Sequence, residues 1–452
     1  MQEKDLLQFH LPYGQIQITS KAKAEGYTDS DFSNVIVYDS HPHLAKVNNN
    51  TLRISNCRAA ATSYEVYANG VLKDTVAYTG EDGGTLDVDI SGYTYPEDGT
   101  IYNVTVKGIG TDIAENESEA VSIGWKGNNV ILGVSGLYQS EPALTRTDDA
   151  VGKTWTMSNN VISSDFDSLF PYNLMKRHTI DGDEFVFIPE LYLRIGHDAN
   201  GYLTDVAVAP LEMTAGENQV VVHVDAFYFG AYGASVSDGK MYSKPNITRQ
   251  GNMTCSNFRT CAKARGSKYR QLDLYHMRVL DFLWLIEFAT KNSDAVMMGY
   301  QNAGGICGAT DNLTVPSGQL SNGGRMRWRY IEDFIGNGLE FFDGAYGLGA
   351  TQDESKYGQQ VTDVTYTEVS GASCLSALKI SHIYPLLAVP AGYDSNANYN
   401  TYFYDEVSCT SGDYVYCRGR GDSGAYYGLF AWNAFTASIE RRVMSSRLLL
   451  IP

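Results

Sequence analysis

The stretch RYIEDFIGNGLEFFDGA, Arg329 to Ala345, is where the chain commits itself to one architecture. Gly336 and Gly338 bracket Asn337, and glycine's tolerance of positive φ makes this a tight bend. Beyond it Leu339 and Phe341 alternate with Glu340 and Phe342, the period of a strand, until Asp343-Gly344 signals the next turn. Upstream, RQLDLYHMRVLDFLWLIEFATKN (Arg270–Asn292) reads as the one clear helix. Leu280, Leu283, Trp284, Ile286 and Phe288 surround most of its circumference, which predicts packing against more than one surface. DEFVFIPELYLRIG (Asp183–Gly196) and NQVVVHVDAFYFGAYG (Asn218–Gly233) read as buried strands, and from Gly299 onward Gly-rich loops alternate with short strands. A single helix among many short strands and long loops is an α+β pattern, not an alternating βαβ one.

Further out, the text toward the amino terminus changes character. Residues 1–43 form a leading segment without strong periodicity. Across 44–124, TLRIS alternates Leu52 and Ile54, SYEVYANGVLKDTV alternates Tyr64 and Val66 before a hairpin turn at Asn69-Gly70, and TIYNVTVKGIG alternates Tyr102, Val104 and Val106. Short strands separated by turn signals describe a small β-sandwich. Their order resembles a fibronectin type III or related immunoglobulin-like module, which implies a spacer. Residues 125–178 read as a connector or the start of the next domain, and 179–452 as the carboxyl-terminal domain.

Composition narrows the function. The chain has 452 residues, 43% hydrophobic and 19% charged, which is globular and long enough for more than one core. Its formal net charge of -18 argues against nucleic acid or an anionic membrane as the partner, since both reward a basic patch. The amino terminus MQEKDLLQFHLPYG holds no apolar stretch of about 7–15 residues, so no secretory signal is expected. VLDFLWLIEFA falls short of the ~20 residues a membrane span needs. The 7 Cys show no CxxC pair, so reduced thiols are expected instead of a zinc framework.

The chain closes with GLFAWNAFTASIERRVMSSRLLLIP, Gly428 to Pro452: two apolar blocks around an insert that follows no period. Residues 412–442 place Tyr, Arg and Phe among Gly and Ser on short loops, the composition of adaptable binding surfaces. The pattern from Gly336 to Gly344 resembles the Gly-Asn-x-x-Glu-[Trp/Phe]-x-x-Asp-Gly stretch of the formylglycine-generating-enzyme branch of the C-type lectin fold. Within that branch, GLFAWNA and SSRLLLIP resemble the variable proteins of diversity-generating retroelements, some of which are phage tail proteins. The resemblance spans roughly 180–452 and is strongest in 329–345 and 412–452. It implies an immunoglobulin-like β-sandwich followed by an α+β C-type lectin-like domain, with a variable region at about 412–444.

In that family, misreading of template adenines replaces Asn codons at scattered positions. The residues here that such replacement can produce are Tyr414, Tyr416, Arg418, Arg420, Asp422, Ser423, Tyr426, Tyr427, Phe435, Thr436, Ile439 and Arg441, while Glu440 and Met444 fall outside the set. The resemblance implies a receptor-binding protein of a virion tail, made in the host cytoplasm; the alternatives are a variable protein displayed on a bacterial cell surface and a formylglycine-generating-type enzyme or pseudo-enzyme. The implied partners are a bacterial cell-surface receptor (protein or glycan), other tail proteins through the amino-terminal segment, and further copies in a homotrimer.

Catalysis lacks its residues in the sequence. The formylglycine-generating enzymes use a closely spaced Cys pair near the carboxyl end, whereas Cys417 is followed by RGRGD and Cys409 lies upstream. WNA (Trp432–Ala434) lacks the carboxylate that calcium-bridged sugar binding requires, and His41 and His43 have no third ligand beside them. The expectation is therefore a binding protein with no enzyme activity, no cofactor and no metal. Sequencing the 3′ coding segment from many individuals of one population checks it: changes should concentrate at the twelve codons while Leu429, Phe430, Trp432 and Arg447 stay constant. An even scatter of changes would remove the retroelement reading.

Overall fold

The structure is a computed structural model that describes residues 16–18, 36–38, 42–48, 51–68, 70–90, 102–110, 116–117, 121–123, 130–300, 304–321, 323–346, 369–381, 384–394, 403, 405–409, 414–420 and 428–452. The chain divides into two compact units, Met1–Asn128 and Asn129–Pro452.

In the first unit, the strand Thr51–Cys57 pairs antiparallel with His43–Asn48 and Gly84–Asp89. A second sheet places Ser63–Ala68 between Val71–Ala77 and Tyr102–Ile109, with Val121–Ile123 beyond. Leu52, Ile54, Tyr64, Val66, Val88, Val104 and Val106 from both sheets share one core, so the alternation legible in TLRIS and SYEVYA does sort core from solvent. Ala68 pairs with Val71 across the two-residue hairpin, where Gly70 adopts φ +75°. Residues 1–43, expected to lack periodic structure, include an antiparallel pair, Ile16–Ile18 with Ile36–Tyr38.

The second unit includes residues 130–178. Leu132–Ser135 is the neighbour of Thr145–Asp148 and Leu203–Ala209 within a five-stranded sheet, and Val161–Ser164 pairs with Gly318. Of the two readings given to 125–178, these pairings agree with the start of the next domain. Short polar strands such as Thr145–Asp148 have too weak a pattern to be seen without their partners. Each of the two apolar stretches read as buried strands proves to be two strands that part company: Asp183–Ile188 and Phe227–Gly230 pair in one sheet, Leu191–His197 and Gln219–Val224 in another.

Among the described residues two α-helices serve this unit, not one. Helix α1, Cys255–Lys263, is capped by Thr254, whose hydroxyl accepts from Asn257 N at 3.1 Å. Its buried side chains Cys255, Phe258, Arg259 and Ala262 recur at helical spacing, but the Arg among them dilutes the apolar signal. Arg259 tolerates burial because it makes a two-toothed pair with Asp343, at 2.8 and 2.7 Å. Helix α2, Leu274–Phe288, is capped by Asp273 and stops at Ala289, which turns left-handed at φ +51°. Every α2 residue except Tyr275 is buried, as a helix apolar around its circumference requires.

The carboxyl terminus joins two sheets. Leu448–Leu450 lies between Phe227–Gly230 and Tyr269–Gln271, while Met444–Ser445 pairs in parallel with Gly338–Tyr346, which also pairs with Tyr414–Arg420. Arg447 sits at the junction, 1% exposed. Its Nε donates to Glu340 Oε1 at 2.7 Å, Nη1 to Gly230 O at 3.2 Å, and Nη2 to Glu332 O and Asp333 O at 2.7 and 2.8 Å. Replacing it leaves Glu340 as a buried charge that keeps only the longer contact to Arg249 at 3.6 Å. Arg447→Met should lower the unfolding free energy of this unit by about 3–5 kcal/mol, read from urea denaturation followed by tryptophan fluorescence. A loss below about 1 kcal/mol would contradict the structural role given to this residue.

Candidate binding surface

The bend at 336–338 forms as expected: Gly336, Asn337 and Gly338 take φ of +95°, +55° and +115°. Gly336 is required there, because a Cβ would come within 2.5 Å of Tyr300 N. The strand that follows is covered on both faces. Leu339 and Phe341 enter an apolar cluster with Phe185, Phe258 and Leu448, while Phe342 meets Trp432 at 5.1 Å between ring centroids. The polar residues of RYIEDFIGNGLEFFDGA are clamps. Arg329 pairs with Glu287 of α2 and with Asp167, Glu332 and Asp333 pair with Arg325, and Asn337 Nδ2 donates to Asp333 at 2.9 Å. Burial and the adjacent Asp333 carboxylate raise the Glu332 pKa, and Arg325 with the Thr310 amide and hydroxyl opposes them.

The carboxyl-terminal stretch hangs on two anchors. At its start, Asp405 takes Gly428 N on one oxygen and Phe430 N on the other at 2.8 Å, and Ser293 Oγ takes Leu429 N at 3.0 Å. Leu429, Phe430, Ala431 and Trp432 are buried, with Arg278 near the Phe430 and Trp432 rings at 5.4 and 5.5 Å. At its end stand Met444 to Leu449, all buried, with Arg447 among them. Between the anchors the residues alternate. Phe435, Ala437 and Ile439 are half-buried against the core, whereas Thr436, Ser438 and Glu440 are exposed, followed by exposed Arg441 and Arg442. The loop backbone is held by Ile439 N to Thr436 O at 2.9 Å and by Arg441 O, which accepts from Asn252 N and Met444 N, each at 3.0 Å.

The twelve nominated residues therefore divide. Thr436 and Arg441 are exposed, and Phe435 and Ile439 are half-buried, all four on this loop. Tyr416 and Arg418 point inward, at 0% and 3% exposure, and as surface contacts they are corrected. Tyr416 packs 4.9 Å from Trp432, and Arg418 pairs with Asp281 of α2 while lying 4.5 Å over the Phe334 ring. Burial pushes the Arg418 pKa down and the Asp281 pKa up, each opposed by the other's charge. The physical reason is the shared strand, Tyr414–Arg420: it is the neighbour of Gly338–Tyr346 in the middle of a sheet, so its side chains enter the interior. Tyr414 and Arg420 lie at its ends, with side chains outside the described residues, as are Asp422, Ser423, Tyr426 and Tyr427 altogether. Ser438, Glu440 and Arg442 are surface residues that were not nominated. The alternation in FTASIE was the signal that could have found them.

The chemistry at Cys417 is also decided by packing. Its thiol lies wholly inside, and burial raises its pKa well above that of a free thiol, so it stays protonated. Among the described residues no group of three or more His, Cys, Asp or Glu could hold a metal ion, and no helix is long and apolar enough to cross a membrane.

The exposed loop is the candidate site. No family model and no curated protein matches this chain. Among solved structures it is similar to PvdO from Pseudomonas aeruginosa, with 12% identity over 62% of this chain and 98% of that one, at a TM-score of 0.29. It is also similar to Treponema denticola variable protein 1, with 11% identity over 61% of this chain and 99% of that one, at a TM-score of 0.29. Likeness at that level carries no conclusion about fold or function.

Gly428 tests the first anchor. A Cβ there would meet Ser293 Oγ at 2.1 Å and Asp405 Oδ1 at 2.6 Å. Gly428→Ala should destabilise the second unit by about 1–3 kcal/mol and speed proteolysis at 431–443 in a limited trypsin digest. An unchanged digest would mean that the anchor does not hold the loop.

Proposed function

We propose that this chain is a binding protein whose loop 435–443 presents a changeable surface on an unchanging frame. The observation that carries the reading is the run of exposed Thr436, Ser438, Glu440, Arg441 and Arg442 between two blocks of fully buried residues. Side chains at those five positions can change without disturbing the core, while those on either side cannot. The protonated, enclosed thiol of Cys417 supports a non-catalytic role.

The setting that fits best is a phage or prophage tail protein that attaches the particle to a bacterial surface. In this reading a fibronectin-like spacer precedes a C-type lectin-like domain of the variable-protein kind. The amino-terminal segment joins other tail proteins, and the chain assembles as a homotrimer. Repeated display in such an assembly raises weak single contacts to useful avidity. The ligand is a protein or glycan of the bacterial cell surface.

Two sets of substitutions test the reading against a purely structural role. Changing Thr436, Ser438, Glu440, Arg441 and Arg442 together to Ala should leave the melting temperature nearly unchanged and abolish attachment to a panel of bacterial strains that the unaltered protein binds. Changing Tyr416 and Arg418 to Ala should lower the melting temperature, because Asp281 then loses one of its two arginines. Attachment that survives the five-residue change would sink the proposal.

A further inference from the structure

The loop does not face its ligand alone. Its backbone rests on residues from elsewhere in the unit: Asn252 N donates to Arg441 O, and Gly251 lies so close to Arg442 O that a Cβ would come within 2.3 Å of it. The Arg442 guanidinium extends over Gly304, with Nη1 3.8 Å from the point where a side chain there would begin. Two residues further on, Ile306 is 58% exposed. It forms an antiparallel bridge with Thr248, whose neighbour Ile247 is 42% exposed.

These two isoleucines are held outward by a backbone that has little freedom to withdraw them. Cys307 N donates to Ile247 O at 3.0 Å and Asn246 N to Cys307 O at 2.8 Å. Gly305 N donates to Asn337 Oδ1 at 2.9 Å, and Arg325 Nη1 to Ile306 O at 2.8 Å. The ribbon is thus tied to the buried Arg325–Asp333–Asn337 cluster. A single exposed aliphatic residue needs no explanation, but two on one pinned ribbon beside an arginine pair form a patch with a composition of its own.

The arginines define its charge. Among the described residues neither Arg441 nor Arg442 has a carboxylate partner, although the chain carries 52 acidic against 34 basic side chains. Arg441 lies 5.5 Å over the Phe435 ring, which holds its stem without neutralising it. At physiological salt, charges beyond about 8 Å are largely screened, so a partner meets two guanidiniums against the one exposed carboxylate of Glu440 before the overall negative charge. Aliphatic side chains offer no flat ring for a sugar to stack on, and a nucleic acid would face the acidic remainder of the chain.

We infer that Ile247, Ile306, Arg441 and Arg442 form one docking surface for an acidic protein segment, a carboxylate set beside a large apolar side chain. The isoleucines take the apolar side chain and the guanidiniums take the carboxylate. This inference rests on the binding role proposed for the loop and names the partner's class. Its constant part lies outside the carboxyl-terminal stretch, so Ile247 and Ile306 supply affinity while the loop residues discriminate.

A random dodecapeptide display library panned on the full chain tests it. The enriched peptides should pair Asp or Glu with a neighbouring Leu, Ile or Phe, and should bind more weakly as salt rises. Ile247→Asp with Ile306→Asp, and separately Arg441→Glu with Arg442→Glu, should each weaken a synthetic copy of such a peptide by about tenfold or more in fluorescence polarisation. Both variants change exposed side chains, and an unaltered melting temperature verifies that they fold. Enriched peptides without carboxylates, no enrichment, or affinity indifferent to the isoleucine pair would each overturn the inference. Peptides that depend on Thr436 and Ser438 but ignore Ile247 and Ile306 would overturn the anchor and leave the loop's binding role standing; indifference to both sets would remove both.

Discussion

The second unit is organised around arginines that have been taken out of water. Arg447 distributes its donors over Glu340 and the carbonyls of Gly230, Glu332 and Asp333, residues from three separate parts of the chain. A guanidinium without partners in such a place would cost several kcal/mol, so the last strand can settle only when the other three are in position. Arg259 with Asp343, Arg325 with Glu332 and Asp333, Arg329 with Glu287, and Arg418 with Asp281 repeat the device around helix α2 and the strand Gly338–Tyr346. Apolar contacts would bury as much area but would accept many registers. Paired charges with directed hydrogen bonds penalise every register but one.

That rigidity is what the changeable loop proposed above requires. Residues 428–430 are gripped by Asp405 and Ser293, residues 444–449 by the two sheets they join, and the half-buried Phe435, Ala437 and Ile439 keep the intervening backbone against the core. The exposed side chains between them then meet few constraints beyond solubility. A preorganised loop also loses less conformational entropy when it engages a partner, so a few contacts can suffice. The proposed surface therefore depends on ion pairs that lie buried beneath it.

Helix α2 and the glycine bend were legible in the sequence because each has a strong local cause. An apolar circumference has no stable place except an interior, and two glycines around an asparagine have few alternatives to a left-handed turn. Helix α1 was not legible because its buried face includes Arg259, whose burial makes sense only once Asp343, distant in sequence, is opposite it. The strands within 130–178 were hidden for a related reason: they are short and partly polar, and they find neighbours at residues 203–209 and 318.

Tyr416 and Arg418 show where reading by residue type stops. Tyr and Arg on a Gly-rich segment are the right composition for a contact surface, and Thr436, Ser438 and Arg441 are exposed to solvent. Tyr416 and Arg418, on the strand Tyr414–Arg420, instead enter the interior, where that strand pairs with Gly338–Tyr346 and α2 supplies Asp281 to Arg418. The sequence by itself determined the local elements, the hairpin in the first unit, the central helix, the bend at Asn337 and the apolar blocks that bracket the carboxyl-terminal insert. Each follows from the periodicity or backbone freedom of residues close together in the chain. Only the tertiary structure decided which polar residues face the interior and which face solvent, because an arginine's burial depends on whether a carboxylate from a distant segment is there to meet it.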